Sequence, residues 1–375
     1  MKSILLLLAF AVAAISVNPT TPSQASNTPG NTYWDPYWQS VTYGNGKFVA
    51  VADIIDQIGD AAAYSTDGIH WELAPLPADQ AWYLVAYGNG TFVALTTNFH
   101  NATAYSTDGI HWELATLPAN QEWSSVAYGN GTFVAVSLGT TFNPISSNSA
   151  AYSNDGINWK LAILPADQSW FSVTYGNGKF VAVSYGNATV YSTDGINWEL
   201  ATLPANQEWS SVAYGSLSPA EEIGQFVAVS YGTVAAYSTD GINWEAATLP
   251  SDRLWYSVAY GNGTFVAVSQ GTFVAVADDS DAAAYSNDGI HWELAVPGLP
   301  GDQKWQSVTY GNGKFVAVAQ GPYSSYASAY STDGIHWEPA TLPASACAIP
   351  CRQQSDCSWP CSRCDFTRSN GTCSF

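Results

Sequence analysis

Short runs of aromatic and β-branched residues, each closed by a Gly-, Asn- or Asp-containing turn, recur from residue 33 to about residue 343. Residues 123–162 show one unit, in which WSSVAY, TFVAVS, AAYS and WKLA are four such runs. Runs of this length and composition predict four strands per unit. The unit opens with Trp-x-x-Val-(Ala/Thr)-Tyr-Gly at Trp38, Trp82, Trp123, Trp170, Trp209, Trp255 and Trp305, at intervals of 39 to 50 residues. A second motif, Tyr-Ser-x-Asp-Gly-Ile-(His/Asn)-Trp, ends at Trp71, Trp112, Trp159, Trp198, Trp244, Trp292 and Trp337.

A period of this size, built from four short strands, is that of a propeller blade. One such sheet cannot cover both of its faces, so neighbouring units must stack, and closing the stack into a ring protects the sheet edges. The expected fold is all-β, a seven-bladed β-propeller with four-stranded antiparallel blades over residues 33–343. The GNG of the first turn suits a tight hairpin, because Asn-Gly accepts positive backbone angles. In the third turn the motif aspartates, Asp67, Asp108, Asp155, Asp194, Asp240, Asp288 and Asp333, are placed to accept backbone N–H groups two residues on. Gly takes the angle a side chain forbids, and Trp covers the hairpin. The motif resembles the Asp-box of the BNR/sialidase-like propeller repeats, which implies a place between the third and fourth strands of each blade.

Positions that stay constant among the copies serve the fold. The residue before the motif Trp is His at 70, 111, 291 and 336 but Asn at 158, 197 and 243, so the slot asks for a polar turn residue and no metal is expected there. Strand connections alternate between faces, which puts the strongly varied second-turn loops on the face opposite the motif, and binding is expected there. Those loops carry Asp53, Asp56, Asp60, Asp278, Asp279 and Asp281, carboxylates of the kind a glycosidase pairs. The sialidases that the motif resembles clamp their substrate with three arginines, whereas residues 33–343 contain only Arg253. A non-enzymatic protein without a cofactor is therefore expected, with a glycan-binding role or a glycoside hydrolase of non-sialidase type as alternatives.

Charge narrows the partners. Ten Lys and Arg against 30 Asp and Glu give a formal charge of -20, which disfavours nucleic acid and anionic lipid. Residues 1–17, one early Lys followed by an apolar run and a small-residue end, read as a signal peptide too short to span a bilayer. Residues 18–32 read as a flexible linker. A secreted protein of the extracellular space or cell wall is expected, without membrane insertion. Candidate glycosylation sites are Asn89, Asn101, Asn130, Asn187, Asn262 and Asn370.

All six cysteines, Cys347, Cys351, Cys357, Cys361, Cys364 and Cys373, lie in the last segment. Residues 344–375 are too few for a hydrophobic core, so a disulfide-rich tail is expected, for which six cysteines allow fifteen pairings. The spacing, with Ser358 and Trp359 beside the third cysteine, resembles the plant carboxypeptidase A inhibitor family of knottins. That resemblance implies the pairs Cys347–Cys361, Cys351–Cys364 and Cys357–Cys373, and a metallocarboxypeptidase as partner. It gives the inhibitory role to Ser374 and Phe375, with Trp359 and Phe366 as further contact residues.

Overall fold

The computed structural model describes residues 36–53, 61–78, 80–97, 101–139, 147–218, 223–270, 283–296, 298–300, 303–320 and 328–343, together with the backbone of 364–365 and 372–373. Residues 1–35, read above as signal peptide, linker and the start of the first repeat, lie outside them.

Each repeat folds into four antiparallel strands paired in chain order. In the first these are Tyr37–Gly44, Lys47–Asp53, Ala62–Ser65 and Glu72–Leu73. In the middle of the chain the connections tighten until strands merge. Lys179–Ser192 and Ile223–Ser238 each carry the second and third strands of a repeat, and Glu199–Ser218 and Glu245–Gly261 each run from a fourth strand into the next first strand. Gly186 and Gly232, at φ 114° and 107°, supply the bends that a side chain would resist. The first turn closes between Gly44 and Lys47 with Asn45 and Gly46 at φ 47° and 75°, two successive positive angles that match the twist of a hairpin.

The core lies between sheets. Along the second strand of the first repeat, Phe48, Ala50 and Ala52 share one cluster with Val316, Val318 and Leu342 of the seventh repeat. Val49 and Val51, on the alternate face, pack with Trp82, Phe92 and Ala94 of the second. The Phe-Val-Ala-Val sequence therefore sets small alanines on one sheet against branched valines on the next, so that sheets approach closely without voids. The same combination repeats at the other interfaces. The opening tryptophans of all seven repeats are fully buried in these clusters, as are Leu76, Leu117 and Leu164 from the connecting segments. Each large apolar side chain so enclosed contributes about 1.5–3 kcal/mol.

A second set of contacts runs through the opening motif. A Cβ on Gly44 would overlap the ring of Tyr87, one on Gly88 that of Tyr128, and one on Gly129 that of Tyr175. The relation continues from Gly176 to Tyr214, Gly215 to Tyr260 and Gly261 to Tyr310, and returns from Gly311 to Tyr43 of the first repeat. Each tyrosine thus lies flat on the glycine of the preceding repeat, and the series closes on itself. Serine hydroxyls reinforce it: Val85 N–H donates to Ser40 Oγ at 3.2 Å, Val173 to Ser125 at 3.1 Å, and Val41 to Ser307 at 3.3 Å. In the second repeat Leu84 replaces that serine and packs instead against the buried cluster that holds Trp123 and Phe133.

Closure predicts how two glycine substitutions rank. Gly311→Ala drives a methyl into the Tyr43 ring and should cost about 3 kcal/mol, whereas Gly313→Ala, with open space around it, should cost about 1 kcal/mol for its positive φ alone. Urea denaturation of both proteins checks the order, and equal midpoints would refute the closing contact.

Candidate functional site

The repeated motif folds a turn in which the serine, the aspartate and the His or Asn side chain are all used locally. Asp67 Oδ1 accepts the N–H groups of Ile69 and His70, both at 2.8 Å, and Ser65 Oγ accepts Gly68 N–H at 2.8 Å. The other carboxylate oxygen, Oδ2, is met by His70 Nδ1 at 2.7 Å. In the third repeat the amide Nδ2 of Asn158 does the same for Asp155 at 2.8 Å. His and Asn alternate at this slot because both donate an N–H to the same carboxylate oxygen. Gly68, at φ 76°, also lies where a Cβ would come within 2.7 Å of Val316 Cγ2 in the seventh repeat, so the turn needs glycine for its angle and for its neighbour. The motif tyrosine is used as well: Tyr64 Oη donates to Glu72 Oε2, and Tyr191 to Glu199 at 2.6 Å, across the third and fourth strands. The carboxylate beside each phenol raises its pKa.

A different set of residues gathers at the centre of the ring. The seven first strands are mutual neighbours in cyclic order, which makes them the innermost strands. Each carries a β-bulge at the residue after its tryptophan: Gln39, Tyr83, Ser124, Phe171, Ser210, Tyr256 and Gln306. A bulge takes one residue out of the ladder and re-aims its side chain. Where that residue is serine, the hydroxyl is spent between repeats: Ser124 Oγ donates to the carbonyls of Val136 and Trp170, and Ser210 Oγ to those of Val229 and Trp255.

Where it is larger, its surroundings differ from repeat to repeat. Burial is the main cause that pushes the Tyr83 phenol up to about 12, with smaller contributions from Tyr256, Asp53 and Glu122. Tyr83 and Tyr256 occupy equivalent bulges on the first strands of the second and sixth repeats. Tyr231 packs on Tyr256 with ring centroids 5.2 Å apart, and its phenol is held high by burial, by Tyr256 and Tyr83, and by Glu208. Phe171 and Tyr185 form a tilted ring pair with centroids 6.0 Å apart, Tyr185 Oη donates to Glu208, and Gln320 Nε2 donates to Gln39 Oε1 at 2.7 Å. Burial also raises the Glu122 carboxyl.

Of the residues singled out from sequence, the seven motif aspartates stand on equivalent turns around the ring, and Asp53 ends the second strand of the first repeat, opposite Tyr37. Asn89, Asn130 and Asn262 take φ 49°, 48° and 48° in first turns and are exposed, as is Asn187, while Asn101 is half-buried. Asp56, Asp60, Asp278, Asp279, Asp281, Asn370, Trp359, Phe366, Ser374, Phe375, Cys347, Cys351, Cys357 and Cys361 lie outside the described residues. The backbones of Cys364 and Cys373 face each other in a two-residue antiparallel ladder. Sequence reasoning missed the bulged slot. Its signal was available as the first x of Trp-x-x-Val, which changes from copy to copy while the tryptophan before it is constant and the residue after it is serine in all but the second repeat.

The motif carboxylates make stability depend on acid. Burial alone would raise Asp240, but the N–H groups of Asn243 and Ile242, the Asn243 amide and the Ser238 hydroxyl prevail and lower it from 3.8 to about 2. A carboxyl with a folded pKa below its unfolded one stabilises fully above the unfolded value, and this is lost as pH falls through the folded value. Asp240→Ala should cost about 1–2 kcal/mol at pH 7, with the gap to the parent narrowing as pH falls from about 4 toward 2. Urea denaturation at several pH values measures this, and a gap independent of pH would contradict the role given to the carboxylate.

The sequence matches no family model and no curated protein. Among solved structures, YCF48 from Cyanidioschyzon merolae, a β-propeller, is similar with a TM-score of 0.53 at 14% identity, covering 76% of this chain and 93% of that one. The crystal structure of the computationally designed Ika8 protein is similar with a TM-score of 0.51 at 8% identity, covering 83% and 91%. At these identities the likeness is one of fold alone, and that fold is the β-propeller.

Proposed function

We propose that this chain is a secreted, non-catalytic binding protein. In this reading a seven-bladed propeller of Asp-box type, residues 33–343, carries a knottin-like segment, residues 344–375, that inhibits a metallocarboxypeptidase. Seven tyrosine-on-glycine contacts that return to their starting repeat support the blade count. The serine and aspartate geometry of the third turn supports the Asp-box assignment. The observation that carries a binding role over turnover is the use of the repeated polar groups within their own hairpins, which leaves the conserved-looking part of each repeat to the scaffold.

The inhibitor assignment draws on the spacing of the six cysteines. It is also compatible with the short antiparallel pairing of Cys364–Asp365 with Thr372–Cys373, since a stapled module of this size needs little more than a small ladder. Ser374 and Phe375 follow directly on that ladder, and an aromatic side chain there suits an apolar specificity pocket of a carboxypeptidase. The oxidised full chain should inhibit carboxypeptidase A with a Kd of about 1 μM or lower, and removal of Phe375 should weaken it by about tenfold or more. Full enzyme activity in the presence of roughly 10 μM chain would retire the inhibitor reading.

A further inference from the structure

Six of the seven first turns read Gly-Asn-Gly, and they fall into two groups by the residue that follows. It is lysine in the first, fourth and seventh repeats, at Lys47, Lys179 and Lys314, and threonine in the second, third and sixth, at Thr91, Thr132 and Thr264. The use of the asparagine amide differs with it. Before lysine the amide is spent between repeats: Nδ2 of Asn45, Asn177 and Asn312 donates to the carbonyls of Thr107, Thr239 and Thr66, in the aspartate turn of the next repeat, at 3.3, 3.1 and 3.3 Å. These bonds put first turns and aspartate turns on one face of the ring. Before threonine, Asn89, Asn130 and Asn262 make no such bond among the described residues.

These three asparagines also have room around them. Each is exposed, each holds a φ of 48° or 49° at the tip of a hairpin, and a Cβ on the glycine that follows, Gly90, Gly131 or Gly263, would meet nothing within 4 Å. Asn-Gly-Thr is an acceptor sequence for N-linked sugar, so a free amide, open space and the acceptor sequence coincide at three equivalent points. The other described acceptor sequences are built differently. Asn101 is half-buried. Thr103 and Thr189, which complete the sequences of Asn101 and Asn187, are fully buried, and their hydroxyls donate to the carbonyls of Ala94 and Ala182 at 2.8 Å. Packing of the repeats withdraws those hydroxyls from recognition, whereas the first turns stay at the surface.

We propose that Asn89, Asn130 and Asn262 carry N-linked glycans, which crown the face of the ring that bears the aspartate turns. In the transfer, the side-chain amide nitrogen bonds to the anomeric carbon of an oligosaccharide supplied as its lipid-linked diphosphate. The bond from that carbon to the diphosphate oxygen breaks, the lipid diphosphate leaves with the electron pair, and the amide proton passes to a base. The proposal rests on the secreted reading, because the lipid-linked donor is met on the secretory route.

The experiment makes the full chain in a eukaryotic secretory host, beside the same chain with residues 1–17 replaced by a signal peptide known to direct secretion. Sugar is released by an amidase that leaves aspartate at each occupied asparagine, and mass spectrometry reads every site. Asn89, Asn130 and Asn262 should be converted in most chains, and Asn101 and Asn187 in fewer. Thr91→Lys, Thr132→Lys and Thr264→Lys should each remove one glycan, seen as one step in gel mobility. Each should keep the parent's urea midpoint after sugar is removed from both, since Asn-Gly-Lys is the native first turn of three other repeats. Unmodified asparagine at any of the three sites in the exported chain, or higher occupancy at Asn101 or Asn187, would overturn the proposal. Failure of the native residues 1–17 to export the chain, with the three sites occupied behind the substitute signal, would overturn the secreted reading and leave the acceptor sites standing.

Discussion

Everything in this molecule hangs on how closely one sheet approaches the next. Glycine makes that approach possible twice in each repeat: in the first strand, where a tyrosine ring lies on the glycine of the preceding repeat, and in the aspartate turn, where Gly68 and its counterparts sit against a valine of the preceding repeat. Between these points the Phe-Val-Ala-Val strand interdigitates with its neighbours. The contacts are local and identical in kind, so stability follows the nearest-neighbour logic of repeat proteins. Returning the series from Gly311 to Tyr43 adds an interface, so that among the described repeats each has a neighbour on both sides.

The polar half of the repeat obeys the same economy. A turn exposes backbone N–H groups, and a carboxylate aimed at two of them, with a hydroxyl aimed at a third, satisfies them more strongly than neutral acceptors would. Holding that carboxylate ionised is what makes the frame sensitive to acid. The alternation of His with Asn at one slot shows that selection at the turn acts on a hydrogen-bond donor and is indifferent to the ring that bears it. Tyr64–Glu72 and its equivalents then tie the short outer strand to the third. The third repeat carries Lys160 where the others carry glutamate, so that tie is not essential at every position.

Individuality is confined to places the frame does not use. The bulge in each first strand is such a place: its neighbours on either side, tryptophan and usually serine, are committed to the interfaces, while the bulged residue is committed to nothing until the ring closes. Ser124 and Ser210 answer by bridging to the next repeat. Tyr256 answers by packing on Tyr231 of the fifth repeat, and burial keeps the Tyr83 phenol protonated.

Strand number, turn positions and the need for glycine were all legible in the amino-acid order, because each depends on residues within one hairpin and the chain repeats that hairpin seven times. The small-against-branched packing of Ala50 and Val316 was not, since both residues read simply as apolar until the partner sheet is known. The bulged slot was legible only as a position that varies from copy to copy. What it touches was not, because the contact of Tyr256 with Tyr231 joins the sixth repeat to the fifth, and no single hairpin specifies how two sheets meet.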